Sequence, residues 1–386
     1  MRELSVTLND YPRGIKQSLG HAMSDMMTQC TFDSDACDST NFKLDTFINN
    51  GNCYTFGDKT AKPSVSWHVK KAGPANGLIL ELDIEQDEYL PITEKAGIKV
   101  LLHSGSEIVF PDNTGILAAP GYVTSIGVKK SEIYMLPQPY GNCISADNAT
   151  NEIKNLYQQL GYTYTKDACL RTCLQKRIFE SCRCIDLDLA NMVRVLNYND
   201  WLDLDNTKSL QICDKTMADC MDTVQEKFEK HELGCEEMCL PACTQKLYQT
   251  TVSTAVWPAD RHLDRYVKFV NKTFAKKNTV YNWTSHPHEH IRKNFLRLEI
   301  YYETLRYEVI STSPTYDWNN LLGNIGGQLG LWLGFSVLTA IEVCQFTMQV
   351  LIHLFKTHYK SFRKSKKRDP CNNTIDIPLP SGSTLV

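Results

Sequence analysis

The opening stretch, MRELSVTLNDYPRGIKQSLG, lacks the apolar core that a translocon reads, so no secretory signal is recognisable near Met1. Internal repeats and low-complexity tracts are also missing, which sets aside solenoids and disordered linkers. With 41 Lys and Arg against 44 Asp and Glu, the net charge is -3, and no basic face suited to a nucleic-acid partner is expected. Asp, His and Ser form no hydrolase-like motif, so neither catalysis nor a cofactor is expected. Residues 1–317 are polar and long enough to bury one or two sizeable cores, which argues against a multi-span bundle.

One apolar run is present. Trp318 to Phe355 reads WNNLLGNIGGQLGLWLGFSVLTAIEVCQFTMQVLIHLF, with Glu342 its only formally charged residue. It exceeds the roughly 20 residues needed to cross a bilayer. Gly323, Gly326, Gly327, Gly330 and Gly334 along it suggest close approach to another element. Cysteine is plentiful ahead of it: of 15 in the chain, 13 lie at 30, 37, 53, 143, 169, 173, 182, 184, 213, 220, 235, 239 and 243. That density suits an oxidising compartment, as do the sequons at Asn148, Asn271 and Asn282, which are glycosylated only where they face the secretory lumen. Beyond the run, Lys356, Lys360, Arg363, Lys364, Lys366, Lys367 and Arg368 form a basic cluster that the positive-inside rule places in the cytosol. The expectation is an extracellular domain, a plasma-membrane span and a cytoplasmic C-terminus. The absent signal and the odd cysteine together suggest a chain that has lost an N-terminal targeting or transmembrane segment and a cysteine.

Residues 22–145 read mainly as strands and loops, with Gly77-LILELDI and Ala96-GIKVLLH as strand candidates. Helical periodicity begins after Asn148. Leu170, Leu174 and Ile178 share a face, and so do Cys169 and Cys173, one turn apart. Asp214 is a candidate N-cap for a second helix striped by Met217, Met221, Val224 and Phe228. Strand alternation returns from Tyr248 to Val256 and stops at Trp257-Pro258. Leu296, Leu298, Ile300 and Tyr302 alternate next, but Leu305, Tyr307 and Val309 take the other parity, which suggests a bulge near Thr304. The short linker from this strand to the apolar run could transmit movement to the membrane.

Cys30-TFDSDA-Cys37, Gly51-NCYTF, Glu85-QDEYLP, Leu136-PQPYGNC, Cys169-LRTC with Cys182-RC, Leu240-PAC and Leu321-LGNIGGQLGLWLGFSVLTAIE follow one another in an order that resembles the degenerin, epithelial sodium channel and acid-sensing ion channel family. The resemblance covers nearly the whole sequence. It implies an α+β, disulfide-rich ectodomain of palm, knuckle, finger and thumb parts over residues 1–317, with the thumb at about 144–245. A transmembrane pore helix over 318–355 and a cytoplasmic tail over 356–386 follow, and the first transmembrane helix is missing. It further implies the pairs Cys30–Cys37, Cys143–Cys243, Cys169–Cys239, Cys173–Cys235, Cys182–Cys220 and Cys184–Cys213, with Cys53 left unpaired. Read from the residues alone, Cys182-Arg-Cys184 and Cys235-EEM-Cys239 could instead hold zinc, but the sequons favour disulfides and no metal is expected.

By the same resemblance, Gly334, Phe335 and Ser336 stand at the selectivity filter, Gly323 and Asn324 at the extracellular gate, Gly330 at a blocker position and Glu342 in the inner vestibule. Physical reasons accompany these placements, because a permeating cation needs oxygen ligands in place of water and glycine lets backbones approach closely. A helix-packing face is the alternative use of the glycines, but an acid facing lipid would be costly. Phe335 replaces the small residue usual in the middle of the filter.

Asp87 and Glu88 resemble the acids that face the thumb in acid-sensing relatives, with Asp222 and Glu226 on the second thumb helix. Clustered carboxylates have raised pKa values, which makes these four a candidate proton sensor, against the plainer reading of a solvated acidic surface. Tyr140 matches an aromatic that couples thumb to pore. His286, His288 and His290 read as surface residues rather than metal ligands. Thr384 and Val386 fit the C-terminal pattern that adds a strand to a PDZ-domain edge. The expected function is a subunit of a homo- or hetero-trimeric, ligand- or proton-gated, amiloride-sensitive sodium channel. The alternative is a non-conducting regulatory subunit or a single-pass binding ectodomain.

Overall fold

A computed structural model describes residues 13–47, 50–57, 67–111, 115–145, 156–159, 161–186, 213–277, 281, 283, 285–334 and 336–365. The chain divides into two units, Met1–Ser313 and Pro314–Val386. Asn148, Asn282, Phe335, Thr384 and Val386 lie outside the described residues.

The first unit is built on a seven-stranded mixed sheet. Its centre is β5 (Leu78–Asp83), whose LILELD sequence is buried along nearly its whole length, as a strand covered on both faces must be. On one side β5 pairs antiparallel with β1 (Met27–Phe32), which turns into β2 (Asp35–Ala36). On the other it pairs antiparallel with β10 (Phe295–Tyr302). Leu80, Leu82, Ile84, Leu296 and Leu298 are buried in the core here. Gly77 admits the crossing of chains at the mouth of β5, because a Cβ there would lie 2.2 Å from the Ile300 carbonyl oxygen.

The long strand β8 (Tyr122–Tyr134) pairs antiparallel with β9 (Thr244–Val256) along its full length, and parallel with β10 on its other edge. The chain after β10 continues along that edge as β11 (Glu308–Ser311). Residues 303–307 bridge the two strands opposite only Lys129 and Lys130 of β8, so the expected parity switch is an interruption in the strand. Glu303 anchors it, with its amide donating to Val128 O at 3.1 Å and its carboxylate 3.0 Å from Lys129. Two small hairpins complete the strands: β3 (Phe42–Phe47) with β4 (Gly51–Phe56), and β6 (Ile98–Val100) with β7 (Ile116–Ala118).

Two helices form the thumb. Thr165 caps α1 (Lys166–Cys182), its hydroxyl accepting from Ala168 N at 3.2 Å, and Arg183 ends it in a left-handed conformation. Before α2 (Ala218–Glu229), Asp214 accepts from Thr216 N at 2.9 Å, so this expected cap serves a short 3-10 turn over 215–217 rather than the α-helix itself. Cys169–Cys239 and Cys173–Cys235 fasten one face of α1 to the segment before β9, Cys182–Cys220 ties α1 to α2, Cys184–Cys213 closes the far end, and Cys143–Cys243 closes the base. With Cys30–Cys37, these are the six pairs that the resemblance implies. Cys53 sits on β4 opposite Asp45. A second cluster packs Leu263, Tyr266 and Val270 of α3 (Leu263–Lys276) against Ile291 of α4 (Pro287–Asn294) and Phe295.

Candidate functional site

In the second unit the apolar run is two helices, α5 (Trp318–Leu333) and α6 (Val337–Ser365), where a single span was expected. The Asp317 side chain starts α5 by accepting from Asn320 N at 2.7 Å. Gly334 ends it, with φ +59° and its N–H bonded to Leu329 O, a left-handed cap that favours glycine. Ser336 starts α6: Thr339 N donates to its hydroxyl at 3.3 Å and Ala340 N to its carbonyl at 3.0 Å. A break in a helix leaves the last carbonyls of the first segment without intrahelical donors. In a membrane such oxygens must find another partner, and a partly dehydrated cation is one.

Gly323, Gly326, Gly327 and Gly330 lie along α5, and among the described residues of this unit a Cβ added at any of them meets nothing within 4 Å. Asn324 is exposed on the same helix. On α6, Thr339, Glu342, Gln345, Gln349 and His353 recur at intervals of three and four, which places them on one face, while Ala340, Thr347 and Leu351 fall on the other. The stretch Leu338–Lys360 is the one helix among the described residues long and apolar enough to cross a membrane. Expectation singled out Glu342 alone of the stripe, although the spacing that reveals the others is legible in the sequence.

In the ectodomain, Asp87 and Glu88 line a cavity of about 890 Å³ together with Asp83, Glu85, Lys277 and His290. Asp222 and Glu226 lie on α2, where Glu226 accepts from Lys230 of its own helix at 2.6 Å. The described lining of the cavity comes from β1, the turn after β5, α3 and α4. His21 Nδ1 lies 2.6 Å from Glu85, a hydrogen bond that raises the imidazole pKa. Ligand atoms of His21, Glu85 and Glu88 fall within 4.8 Å of one another, but the first two already share a proton and we assign no metal to them. Burial raises the Asp83 pKa and lowers that of Lys277, whose ammonium donates to Ser24 O at 2.6 Å and Met27 O at 3.0 Å. No sequence pattern signals these pairings, which join residues as far apart as Ser24 and Lys277.

Tyr140 is 67% exposed beside Gly141, where a Cβ would come 2.1 Å from Leu136 O. His288 is exposed and bonds Asp264 at 2.8 Å, but His290, expected on the surface, is only 9% exposed because Tyr281, Trp283 and Phe295 pack around it. Asn271 is exposed on α3, its amide oxygen accepting from Trp283 Nε1 at 2.6 Å.

A disulfide-braced unit followed by an apolar helical unit, broken at a glycine and carrying a polar stripe, defines a class of disulfide-rich, membrane-attached proteins. Residues 3–346 match the profile of the family described as "Amiloride-sensitive sodium channel", and the chain belongs to that family. It is 32% identical over 337 residues to degenerin del-1 of Caenorhabditis elegans, covering 87% of this chain and 46% of that one. It is 31% identical over 379 residues to acid-sensing ion channel 4-B of Danio rerio (96% and 60%) and 29% identical over 371 residues to epithelial sodium channel subunit gamma of Xenopus laevis (95% and 52%). The chain therefore spans about half the length of the curated relatives it matches.

Proposed function

We propose that the chain is a subunit of a trimeric cation channel of the plasma membrane, selective for sodium and blocked by amiloride, with an extracellular domain and a cytoplasmic tail. The observation that carries this reading is the second unit itself: a helix broken from Gly334 to Ser336, followed by a helix long and apolar enough to span a membrane on which Glu342, Gln345, Gln349 and His353 share one face. A lone lipid anchor has no use for either, whereas several copies turning their stripes inward would line a water-filled path with hydroxyl, amide and carboxylate groups. Gly334 and Ser336 supply filter oxygens together with Phe335, Gly323 and Asn324 form the gate, Gly330 contributes to the blocker site and Glu342 draws cations into the inner vestibule. Membership of the family supports the assignment.

Opening responds to protons or another extracellular ligand acting through Asp87, Glu88, Asp222 and Glu226, with Tyr140 coupling thumb to pore. Asn148, Asn271 and Asn282 carry glycans, and Thr384 and Val386 engage a PDZ domain. Voltage-clamp recording from oocytes expressing the protein, alone and with related subunits, tests the reading. An amiloride-blockable sodium current that disappears in Gly334→Val is expected; a current unaffected by Gly334→Val, Ser336→Ala and Glu342→Gln overturns it.

A further inference from the structure

We propose that His290 is a proton-operated latch between the acidic turn after β5 and the helix that feeds β10, independent of whether the chain conducts. A continuous hydrogen-bonded chain supports it. Tyr281 OH donates to Asp83 Oδ2 at the end of β5, and the same phenol oxygen lies 2.8 Å from His290 Nε2. Because the phenol proton goes to Asp83, Nε2 must be the donor to Tyr281. The other ring nitrogen, Nδ1, lies 3.4 Å from Asn294 Nδ2, which can only donate, so this geometry is that of the neutral imidazole. Asn294 also reaches the acidic turn, its Oδ1 accepting from Gln86 N at 2.7 Å.

A proton arriving at Nδ1 turns the acceptor into a donor facing a donor. An alternative acceptor is Asp87 Oδ2, 4.0 Å away on the turn Gln86–Glu88. The Asn294 amide keeps its bond to His290 O at 3.3 Å, so the helix does not lose its anchor when the ring changes partner. Closing the gap to Asp87 adds a second tie between the turn and α4, and Phe295, the next residue after α4, begins β10.

Acidic groups face His290 from several elements. Asp83 comes from β5, and Glu85, Asp87 and Glu88 from the turn, while Asp25 and Asp38 line the same cavity. Opposing cations are Lys277 at the end of α3, held by the carbonyls of Ser24 and Met27, and Lys293 on α4, engaged by Glu289 at 2.7 Å. His21 is paired with Glu85, and His286 stands at the start of α4. Acid pH should therefore tighten the turn against the helix.

Hydrogen–deuterium exchange mass spectrometry on the full chain in detergent micelles, between pH 8 and 5 and corrected for chemical exchange rates, reads the latch. Segments 86–90 and 287–294 should become about threefold more protected through a single-proton transition, the size expected for roughly half a unit of linkage. In His290→Gln the transition of segment 287–294 should vanish. In Asp87→Asn, at a position 76% exposed, the midpoint should fall to lower pH, since the carboxylate that would pair with the imidazolium is gone. The same transition surviving in His290→Gln, or an unmoved midpoint in Asp87→Asn, overturns the proposal. If His290→Gln does not fold, the Asp87→Asn midpoint alone decides.

Discussion

The thumb ladder makes a quantitative prediction about how its disulfides share their work. Cys143–Cys243 spans 100 residues, which taken alone corresponds to about 4.7 kcal/mol of loop-closure entropy removed from the unfolded chain. It is not alone, because Cys169–Cys239 already bridges 70 residues inside it, and with that bond closed the outer one completes a loop of only about 30. The same relation then gives about 3.7 kcal/mol. Cys30–Cys37, with a separation of 7 and no bond nested inside, gives about 2.4 kcal/mol. Thermal unfolding of the full chain, followed by tryptophan fluorescence, should show Cys143→Ser/Cys243→Ser lowering Tm by roughly 8–12 °C and Cys30→Ser/Cys37→Ser by roughly 5–7 °C. Removing Cys143–Cys243 in a background that already lacks all four bonds nested inside it, Cys169–Cys239, Cys173–Cys235, Cys182–Cys220 and Cys184–Cys213, should cost about 1 kcal/mol more than in the wild type. An equal or smaller cost there would refute the nested arrangement.

Other outcomes follow from single sites. At Gly334 a Cβ meets nothing, so a substitution there costs only the left-handed backbone, about 1–2 kcal/mol for most residues; folded yield should run Gly, Asn, Ala, Val in falling order, and Ala above Asn would contradict the backbone argument. Arg297→Ala strands the buried Glu81 carboxylate 3.1 Å away and should cost about 3–5 kcal/mol by urea unfolding, most of it recovered in Glu81→Leu/Arg297→Met. The His21 pKa is raised in the folded state by Glu85, so its contribution, about 1 kcal/mol or less, is fully present below pH ~6.5 and lost as pH rises through the folded value. The stability difference between wild type and His21→Ala should therefore shrink toward alkaline pH, and a gap that widens would reverse the sign.

Local chemistry made some of this architecture legible in advance. The 3.6-residue period exposed α1 and α2, period-two alternation exposed β9 and β10, and Trp257-Pro258 marked the end of β9. The parity switch after Tyr302 pointed to the interruption at 303–307. Hydrophobicity alone could not divide the apolar run, because both helices are apolar; the division rests on the left-handed Gly334 and the capping Ser336, a pair whose meaning depends on backbone conformation. The acids were read by position in the sequence, yet Asp87 lies 4.0 Å from His290 and shares its cavity with Tyr281 and Lys277, proximities made only by long-range folding. His290 leaves the surface for a different reason, since three aromatic rings no more than nine residues away in sequence converge on it.

The polar stripe on α6 is the test of the central claim. Single cysteines at Thr339, Gln345 and Gln349, and on the opposite face at Ala340, Thr347 and Leu351, would be introduced into full-length protein at the cell surface after replacing the native Cys344. Labelling by a small, charged, membrane-impermeant thiol reagent would then be measured. A water-filled path lined by this face predicts labelling at Thr339, Gln345 and Gln349 and none at the other three. Equal labelling of both faces, or labelling of neither, would contradict a pore built from this helix.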